Sequence, residues 1–293
     1  MQARTLLGLI GSNIMQSLSP ALHEDALAAC GHVGHYHLMD TSLLKGRRLD
    51  EMIAAVRRLG FTGVNVTHPY KEAVLPLLDE TSAEAGQIGA VNTVVIDANG
   101  RLIGHNTDRS GFRRAFEEAL GAGAALDRTV LQLGAGGAGR AVAFALMDLG
   151  VARLLIHDKD QAKAAALCAD LIVRFGAGRC AFALDTAAAA AEAAGIVNAT
   201  PVGMLAYPGS PIAEHLIGVR HFVADVIYTP LETQLIARAR SVGAPVMTGG
   251  GMCVHQAADA FRLFTGREPD IARMHRTFAV ALAHRDAALA RVA

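Results

Sequence analysis

The sequence predicts an α/β protein of two domains, and three observations predict it. Apolar, strand-like runs alternate with helix-like stretches along most of the chain, the rhythm of sheets built from parallel strands and covered by helices. At 293 residues the chain is long enough for two domains of ordinary size, each with its own buried core. A glycine cluster, Gly134-Ala135-Gly136-Gly137-Ala138-Gly139, lies between the apolar run Thr129-Val130-Leu131-Gln132-Leu133 and a helix-like stretch over 140–149. That context reads residues 110–240 as a dinucleotide-binding domain of Rossmann type. Residues 1–109 form a further α/β domain, and residues about 241–293 follow the dinucleotide-binding one.

Each element follows from local signals. Leu6-Leu7-Gly8-Leu9-Ile10-Gly11 reads as a buried first strand; it is too short for a signal-peptide core and no small cleavage-site residues follow it. Ser19-Pro20 opens a helix through Ala29, with Ser19 expected to cap it. A strand over 35–39 precedes a helix over 49–59 that Gly60 ends. A short strand over 63–66, a helix over 71–77 and a strand over 91–97 turned at Asn99-Gly100 come next. Residues 108–120 form a linking helix. The rhythm then strengthens, with strands over 129–133, 153–157, 181–184, 196–198 and 222–226 and helices over 140–149, 161–175 and 186–194. The alanine-rich run within the last of these is a good helix former rather than a functional tract. A further helix covers 254–264.

Bulk properties exclude several function classes. Basic and acidic residues balance at 27 each, so no global field recruits nucleic acid or an anionic membrane. Uncharged stretches are broken by Gly and Pro, and none is expected to span a bilayer. Cys30, Cys168, Cys180 and Cys253 are scattered, without a C-x-x-C pair or zinc-like spacing, as expected of reduced thiols in a cytoplasmic protein. His32, His35 and His37 are close in sequence, but Gly34 and strand alternation argue against a shared ion, so no metal is predicted. Neither a serine–histidine–acid arrangement nor an HExxH helix is present.

The glycine cluster carries chemistry because of its setting. A strand delivers the chain to a tight turn, the glycines let the backbone approach a pyrophosphate, and the next helix offers free N–H groups and its positive dipole end. Asp158 ends the next apolar run, 24 positions beyond Gly134, where a carboxylate accepts hydrogen bonds from the ribose hydroxyls of NAD and repels the extra phosphate of NADP. Lys159 and Arg140 are the cations that could hold that phosphate; two acids, Asp158 and Asp160, against one lysine favour NAD, with NADP as the alternative.

The first hundred residues hold polar clusters that a plain scaffold does not require. Ser17-Leu18-Ser19-Pro20 places two hydroxyls before a helix, a small anion site suited to a carboxylate. Asn65-Val66-Thr67-His68-Pro69-Tyr70-Lys71 ends a strand with an amide, a hydroxyl and a lysine. Gly89-Ala90-Val91-Asn92-Thr93 and Gly104-His105-Asn106-Thr107-Asp108 add amides, hydroxyls and a carboxylate. Singly these are ordinary turn chemistry; together they suggest a pocket for a polyhydroxylated acid.

These clusters, with the glycine fingerprint, Asn198-Ala199-Thr200-Pro201 and the segment from Gly249 to Gln256, resemble the shikimate dehydrogenase family in order and spacing over nearly the whole chain. Thr67-His68-Pro69-Tyr70-Lys71 and the run from Gln256 to Gly266 look most like its NAD-dependent quinate/shikimate branch. The resemblance implies that Ser17 and Ser19 bind the substrate carboxylate, with Tyr228 assisting, and that Asn65, Thr67, Asn92 and Gln256 bond the ring hydroxyls. It implies an N-terminal α/β substrate domain over 1–109, completed by C-terminal helices about 241–293, with an active-site cleft between it and the Rossmann-type domain. It makes Lys71 and Asp108 the catalytic pair, a lysine that passes on the hydroxyl proton and an acid that positions the lysine and shares that hydroxyl. Gly134, Ala135, Gly136, Gly137, Ala138, Gly139, Asp158, Lys159, Thr200, Pro201, Val226, Gly249 and Met252 line the cofactor, the Gly249-Gly250-Gly251 run letting the chain approach the nicotinamide.

The resemblance also has a departure. The biosynthetic branch typically carries Asn-Arg-Thr where this chain has His157-Asp158-Lys159-Asp160. Loss of that arginine again favours NAD and oxidation of shikimate to 3-dehydroshikimate. Some quinate-using relatives carry threonine at the second serine position; Ser19 favours shikimate and leaves quinate, and its oxidation to 3-dehydroquinate, open. Other readings are an NADP-dependent biosynthetic enzyme, an aminoshikimate dehydrogenase, or a catalytically silent sensor of such acids. The expected partner is a small-molecule acid, with no nucleic acid or membrane, on a monomer or homodimer.

Overall fold

A computed structural model describes residues 4–44 and 46–290. The chain divides at Thr107/Asp108 and Cys253/Val254 into two compact units. The first contains β1 (Arg4–Gly11), α1 (Ser19–Ala29), β2 (Val33–Asp40), α2 (Leu49–Arg58), β3 (Gly63–Val66), β4 (Glu80–Thr81), α3 (Ala83–Ile88), β5 (Thr93–Ile96) and β6 (Leu102–His105). The second contains α4 (Asp108–Leu120), β7 (Thr129–Leu133), α5 (Gly137–Asp148), β8 (Arg153–His157), α6 (Gln161–Phe175), β9 (Cys180–Phe182), α7 (Thr186–Glu192), β10 (Gly195–Asn198), β11 (Phe222–Asp225), α8 (Gln234–Ser241) and β12 (Val246–Met247). α9 (Gly249–Thr265) contains the second boundary, and α10 (Ile271–Ala290) returns to the first unit. The sequence reading ended the second unit at 240; β12 extends it, because Val246 and Met247 pair with Val223 and Ala224 of β11.

Each unit is a six-stranded sheet with helices packed on it. In the first the order is β2-β1-β3-β5-β6-β4. β1 is an interior strand, buried from Leu7 to Gly11 and parallel to β2 and β3. One core cluster gathers Ile10, Ile53, Val64 and Val94; a second gathers Leu7, Leu27, Tyr36, Phe261 and Phe264. The expected all-parallel sheet fails at β5, which runs antiparallel to both β3 and β6. Asn99-Gly100 makes a hairpin instead of a crossover: Asp97 Oδ1 accepts the N–H groups of Asn99 and Arg101, and Asp97 O accepts that of Gly100.

Residues 71–77 are a second departure: only Leu75–Leu77 is helical, as one 3-10 turn. Pro76 has no N–H to give, and inside a longer helix its ring would crowd the carbonyl one turn back. At α1 the helix begins one residue earlier than the expected cap implies. Leu18 is the N-cap and has no side-chain cap bond, Ser19 is the first helical residue, and the Ser19 N–H is taken up by Ser17 Oγ.

The second sheet is wholly parallel, in the order β12-β11-β10-β7-β8-β9. Strand order reverses beside β7, so the loops leaving β7 and β10 open at the switch point where open α/β sheets bind ligands. Leu131, Leu133, Ile196, Val223, Leu235 and Ile236 form its core. Cys168 of α6 and Cys180 of β9, far from scattered, meet in the interior with their sulfurs 2.6 Å apart as free thiols. Among the described residues no helix is long and apolar enough to cross a membrane.

Candidate active site

In the first unit one edge of the sheet collects the polar clusters. β1 and β3 are parallel, so the loops after Gly11 and Val66 leave the same edge, where Ser12 N–H bonds His68 O at 2.9 Å. β5 is antiparallel and starts at that edge, Thr93 opposite Asn65; β6 ends there, His105 opposite Thr93. Backbone bonds tie the segments together: Val66 N–H to Asn92 O at 2.8 Å, Asn92 N–H to His105 O at 3.1 Å, Val91 N–H to Lys71 O at 2.8 Å. The hairpin that broke the parallel pattern is therefore what brings Asn92, Asn106 and Thr107 beside Asn65 and Lys71.

The side chains form a continuous network. Asn65 Nδ2 donates to Thr93 Oγ1 at 3.0 Å and to Asn92 O at 3.2 Å. Thr93 Oγ1 donates to Asn92 Oδ1 at 2.9 Å, which also accepts Thr107 N–H at 2.8 Å. Asn92 Nδ2 donates to Thr107 Oγ1 at 2.9 Å and reaches Gln256 Oε1 at 3.5 Å. Asn65, Asn92, Thr93 and Thr107 are buried, where polar groups need such partners. Thr67 and Lys71 are half-buried in the loop after β3. Ser17 Oγ donates to Ser19 Oγ at 3.1 Å and accepts Ser19 N–H at 3.2 Å, so both hydroxyls sit at the start of α1.

In the second unit the fingerprint loop joins β7 to α5. A Cβ on Gly139 would overlap the carbonyl of Gly134, and one on Gly134, whose φ is +101°, would lie 2.8 Å from Ala199 O. Above Gly136 a Cβ would meet nothing within 4 Å, and no side chain caps α5 there. Open space over unpartnered helical N–H groups fits a pyrophosphate. Asp158 follows β8: its Oδ2 accepts Ala135 N–H at 2.7 Å and its Oδ1 accepts Asp160 N–H at 2.8 Å, leaving further lone pairs for ribose hydroxyls. Lys159 is exposed. Arg140 instead meets Asp170 of α6 at 2.5 Å.

Sequence reasoning missed several residues that shape these sites. Gln132, fully buried, donates to Gly134 O and Gly139 O at 2.8 Å each, holding the two ends of the fingerprint loop together. A glutamine inside an otherwise apolar strand was the available signal. Asn198 Oδ1 accepts the Thr200 N–H and hydroxyl, and its Nδ2 donates to Asp225 Oδ1 at 3.0 Å. Asp225 also accepts Ile227 N–H and the Thr233 hydroxyl, which shapes the backbone carrying Val226 and Tyr228. Burial pushes its carboxyl up to about 6, against the pull of those donors. Gly249 is already helical, not in a loop before the helix; a Cβ there would overlap the carbonyls of Val226 and Ile227. Met252 is buried in the same helix, Thr200 is half-buried and Pro201 exposed. Asp108, buried, is the first residue of α4.

Comparison with known proteins decides the family. Residues 9–94 match the shikimate dehydrogenase substrate binding domain, and residues 249–277 the shikimate 5'-dehydrogenase C-terminal domain. A quinate/shikimate dehydrogenase (NAD(+)) of Corynebacterium efficiens is 50% identical over 279 residues, 93% of this chain and 97% of the relative. The chain belongs to the shikimate dehydrogenase family. A shikimate dehydrogenase (NADP(+)) of Streptomyces avermitilis is 49% identical over 92% of this chain and 93% of its own length. Among solved structures, quinate dehydrogenase from Corynebacterium glutamicum in complex with NAD superposes with a TM-score of 0.86 at 46% identity, covering 95% of this chain and all of that one. Shikimate 5-dehydrogenase from Thermus thermophilus in complex with NADP(H) and shikimate gives 0.81 at 39% identity, with the same coverage. Both the two-sheet α/β architecture and the family read from the motifs are thus found.

Proposed function

We propose that this chain is an NAD-linked dehydrogenase that oxidises the ring secondary alcohol of shikimate, and of quinate as a second substrate, with Lys71 and Asp108 as its catalytic pair. The observation that carries the reading is the buried amide–hydroxyl network of Asn65, Thr93, Asn92 and Thr107, which reaches half-buried Gln256 of α9, at the sheet edge that also holds Lys71. Such a network reads hydroxyl groups by direction as well as position. The serine pair at the start of α1 supplies hydroxyls for the acid's carboxylate, and Tyr228 assists there. Thr67 adds a hydroxyl to the ring contacts.

A bound nicotinamide would supply the hydride acceptor; distance and orientation come from the protein. Lys71 passes on the hydroxyl proton and stabilises the developing alkoxide, and Asp108 shares the same hydroxyl. In the reverse direction Lys71 returns a proton to the carbonyl oxygen. The residues that would hold the cofactor are Gly134, Ala135, Gly136, Gly137, Ala138 and Gly139 at the pyrophosphate, Asp158 at the ribose, and Thr200, Pro201, Val226, Gly249 and Met252 alongside. Asp158 repels a 2′-phosphate, and Arg140, engaged by Asp170, does not offer it a free cation. Lys159 is the remaining nearby cation. The enzyme works in the cytoplasm, where nicotinamide cofactors circulate, as a monomer or homodimer.

Initial rates of the purified protein with shikimate and with quinate, each with NAD⁺ and with NADP⁺, test this directly. The reading expects turnover with NAD⁺ and shikimate to exceed turnover with NADP⁺. A preference for NADP⁺ would overturn the cofactor assignment, and no turnover in any pairing would overturn the activity.

A further inference from the structure

Asn65 is read above as a contact for a substrate hydroxyl, and the structure fixes which half of its amide can serve. The backbone carbonyl of Asn92 can only accept a hydrogen bond, so the group 3.2 Å from it must be the Asn65 NH₂. The second Nδ2 proton goes to Thr93 Oγ1 at 3.0 Å. That assignment is consistent along the chain of bonds: Thr93 Oγ1 passes its own proton to Asn92 Oδ1, which must be an acceptor because it also receives Thr107 N–H. Both donor positions of Asn65 are therefore spent inside the protein. Its oxygen faces Tyr36, whose hydroxyl, at 2.8 Å, must donate to it.

Tyr36 completes a three-point hold on the amide plane. The ring is 2% exposed and lies in the core cluster with Leu27 and Phe261. The His23 imidazole stacks on it at 4.7 Å between centroids and 14° between planes. His23 is itself in aromatic contact with Phe261 and Phe264. A tyrosine packed this way has little freedom to move its hydroxyl, so Asn65 Oδ1 is held in place with one lone pair used and one remaining.

We propose that Asn65 is an acceptor-only reader of a substrate hydroxyl and that Tyr36, through its bond to Asn65 Oδ1 and its stack on His23, is the positioning residue that holds it so. The proposal rests on the substrate reading above. It assigns a selectivity: at the position Asn65 reads, a hydroxyl that donates is accepted, whereas a methoxy group or a ketone places oxygen against oxygen and is rejected. A site built to bond a hydroxyl discriminates strongly against an analogue without the proton, because its own buried group is left unpaired.

The test uses the whole enzyme with NAD⁺. Competitive inhibition is measured for shikimate analogues in which each ring hydroxyl in turn is methylated, and kinetics are compared for wild type and Tyr36→Phe. In wild type one methylated position should bind at least about 30-fold more weakly than the corresponding deoxy analogue, since an oxygen that repels is worse than none. Tyr36→Phe should raise KM for shikimate by about tenfold, the value of one buried hydrogen bond, with kcat within about twofold and KM for NAD⁺ unchanged. A merely structural tyrosine would instead lower the thermal midpoint and disturb kcat and both KM values together, and that result would overturn the proposal. So would an unchanged KM for shikimate, or equal binding of the methylated and deoxy analogues at every position. Absence of wild-type turnover with shikimate would instead defeat the substrate reading itself, so the two failures are distinguishable.

Discussion

His23 makes a quantitative prediction about acid sensitivity. The imidazole is 1% exposed, and neither ring nitrogen has a hydrogen-bond partner. Burial without compensation disfavours the charged form and pushes its pKa down from 6.5 to about 3. The unfolded chain, with an ordinary imidazole, therefore binds a proton between those two values that the folded chain does not. Stability from this group is present above pH 6.5 and is lost as pH falls toward 3. Between pH 7.5 and 5 the loss works out at about 2 kcal/mol, rising to about 5 kcal/mol below both values. Asp225 has the opposite sign: its carboxyl, raised to about 6, takes up a proton in the folded state first and adds stability as pH falls through 6 toward 3.8. A single pH profile would mix the two. Urea unfolding of wild type and His23→Leu, followed by circular dichroism at a series of pH values, removes Asp225 by subtraction. The wild-type free energy of unfolding should fall relative to the variant by about 2 kcal/mol between pH 7.5 and 5. A difference that stays constant across that range would refute the reasoning and mean that His23 titrates as if it were solvated.

Two substitutions probe the cofactor unit. Asp158→Ala removes the acceptor for ribose and for Ala135 N–H, so kcat/KM for NAD⁺ should fall by about tenfold and the gap to NADP⁺ should narrow; steady-state kinetics with both cofactors checks it, and an unaltered preference would assign selection to another residue. Gly139→Ala forces a methyl onto the Gly134 carbonyl that Gln132 also holds. It should weaken NAD⁺ binding and cost about 1–3 kcal/mol of stability, read by calorimetry and thermal unfolding; an unchanged binding constant would mean that the loop relaxes freely.

Much of the architecture was legible because it is written in periodicity and punctuation. The linking helix has the bounds expected for it, 108–120, and the order strand, glycine cluster, helix around Gly134 is found, with the helix starting at Gly137 rather than at 140. Pairings that depend on register between distant segments were not legible. Thr93 and Thr107 join Asn92 only because β5 turns back on β3, and the hairpin at Asn99-Gly100 was read as a turn without its antiparallel consequence. Tyr36 and Asn65 lie 29 residues apart, so no local pattern links them. The helix expected over 71–77 failed on Pro76, a signal that was present and outweighed by apolar spacing. Ser19 looked like a cap because serine before a helix usually is one; here its hydroxyl accepts a proton from Ser17 instead.

The most direct test of the account is the kinetic profile of Lys71→Ala with shikimate and NAD⁺, accompanied by shikimate binding to the same variant. If Lys71 handles the hydroxyl proton, kcat should fall by about 10²–10⁴-fold while shikimate affinity changes only a few-fold, since the ring and carboxylate contacts made by other residues remain. Turnover close to wild type would contradict the account, because the proton would then be leaving by a route that does not need this lysine.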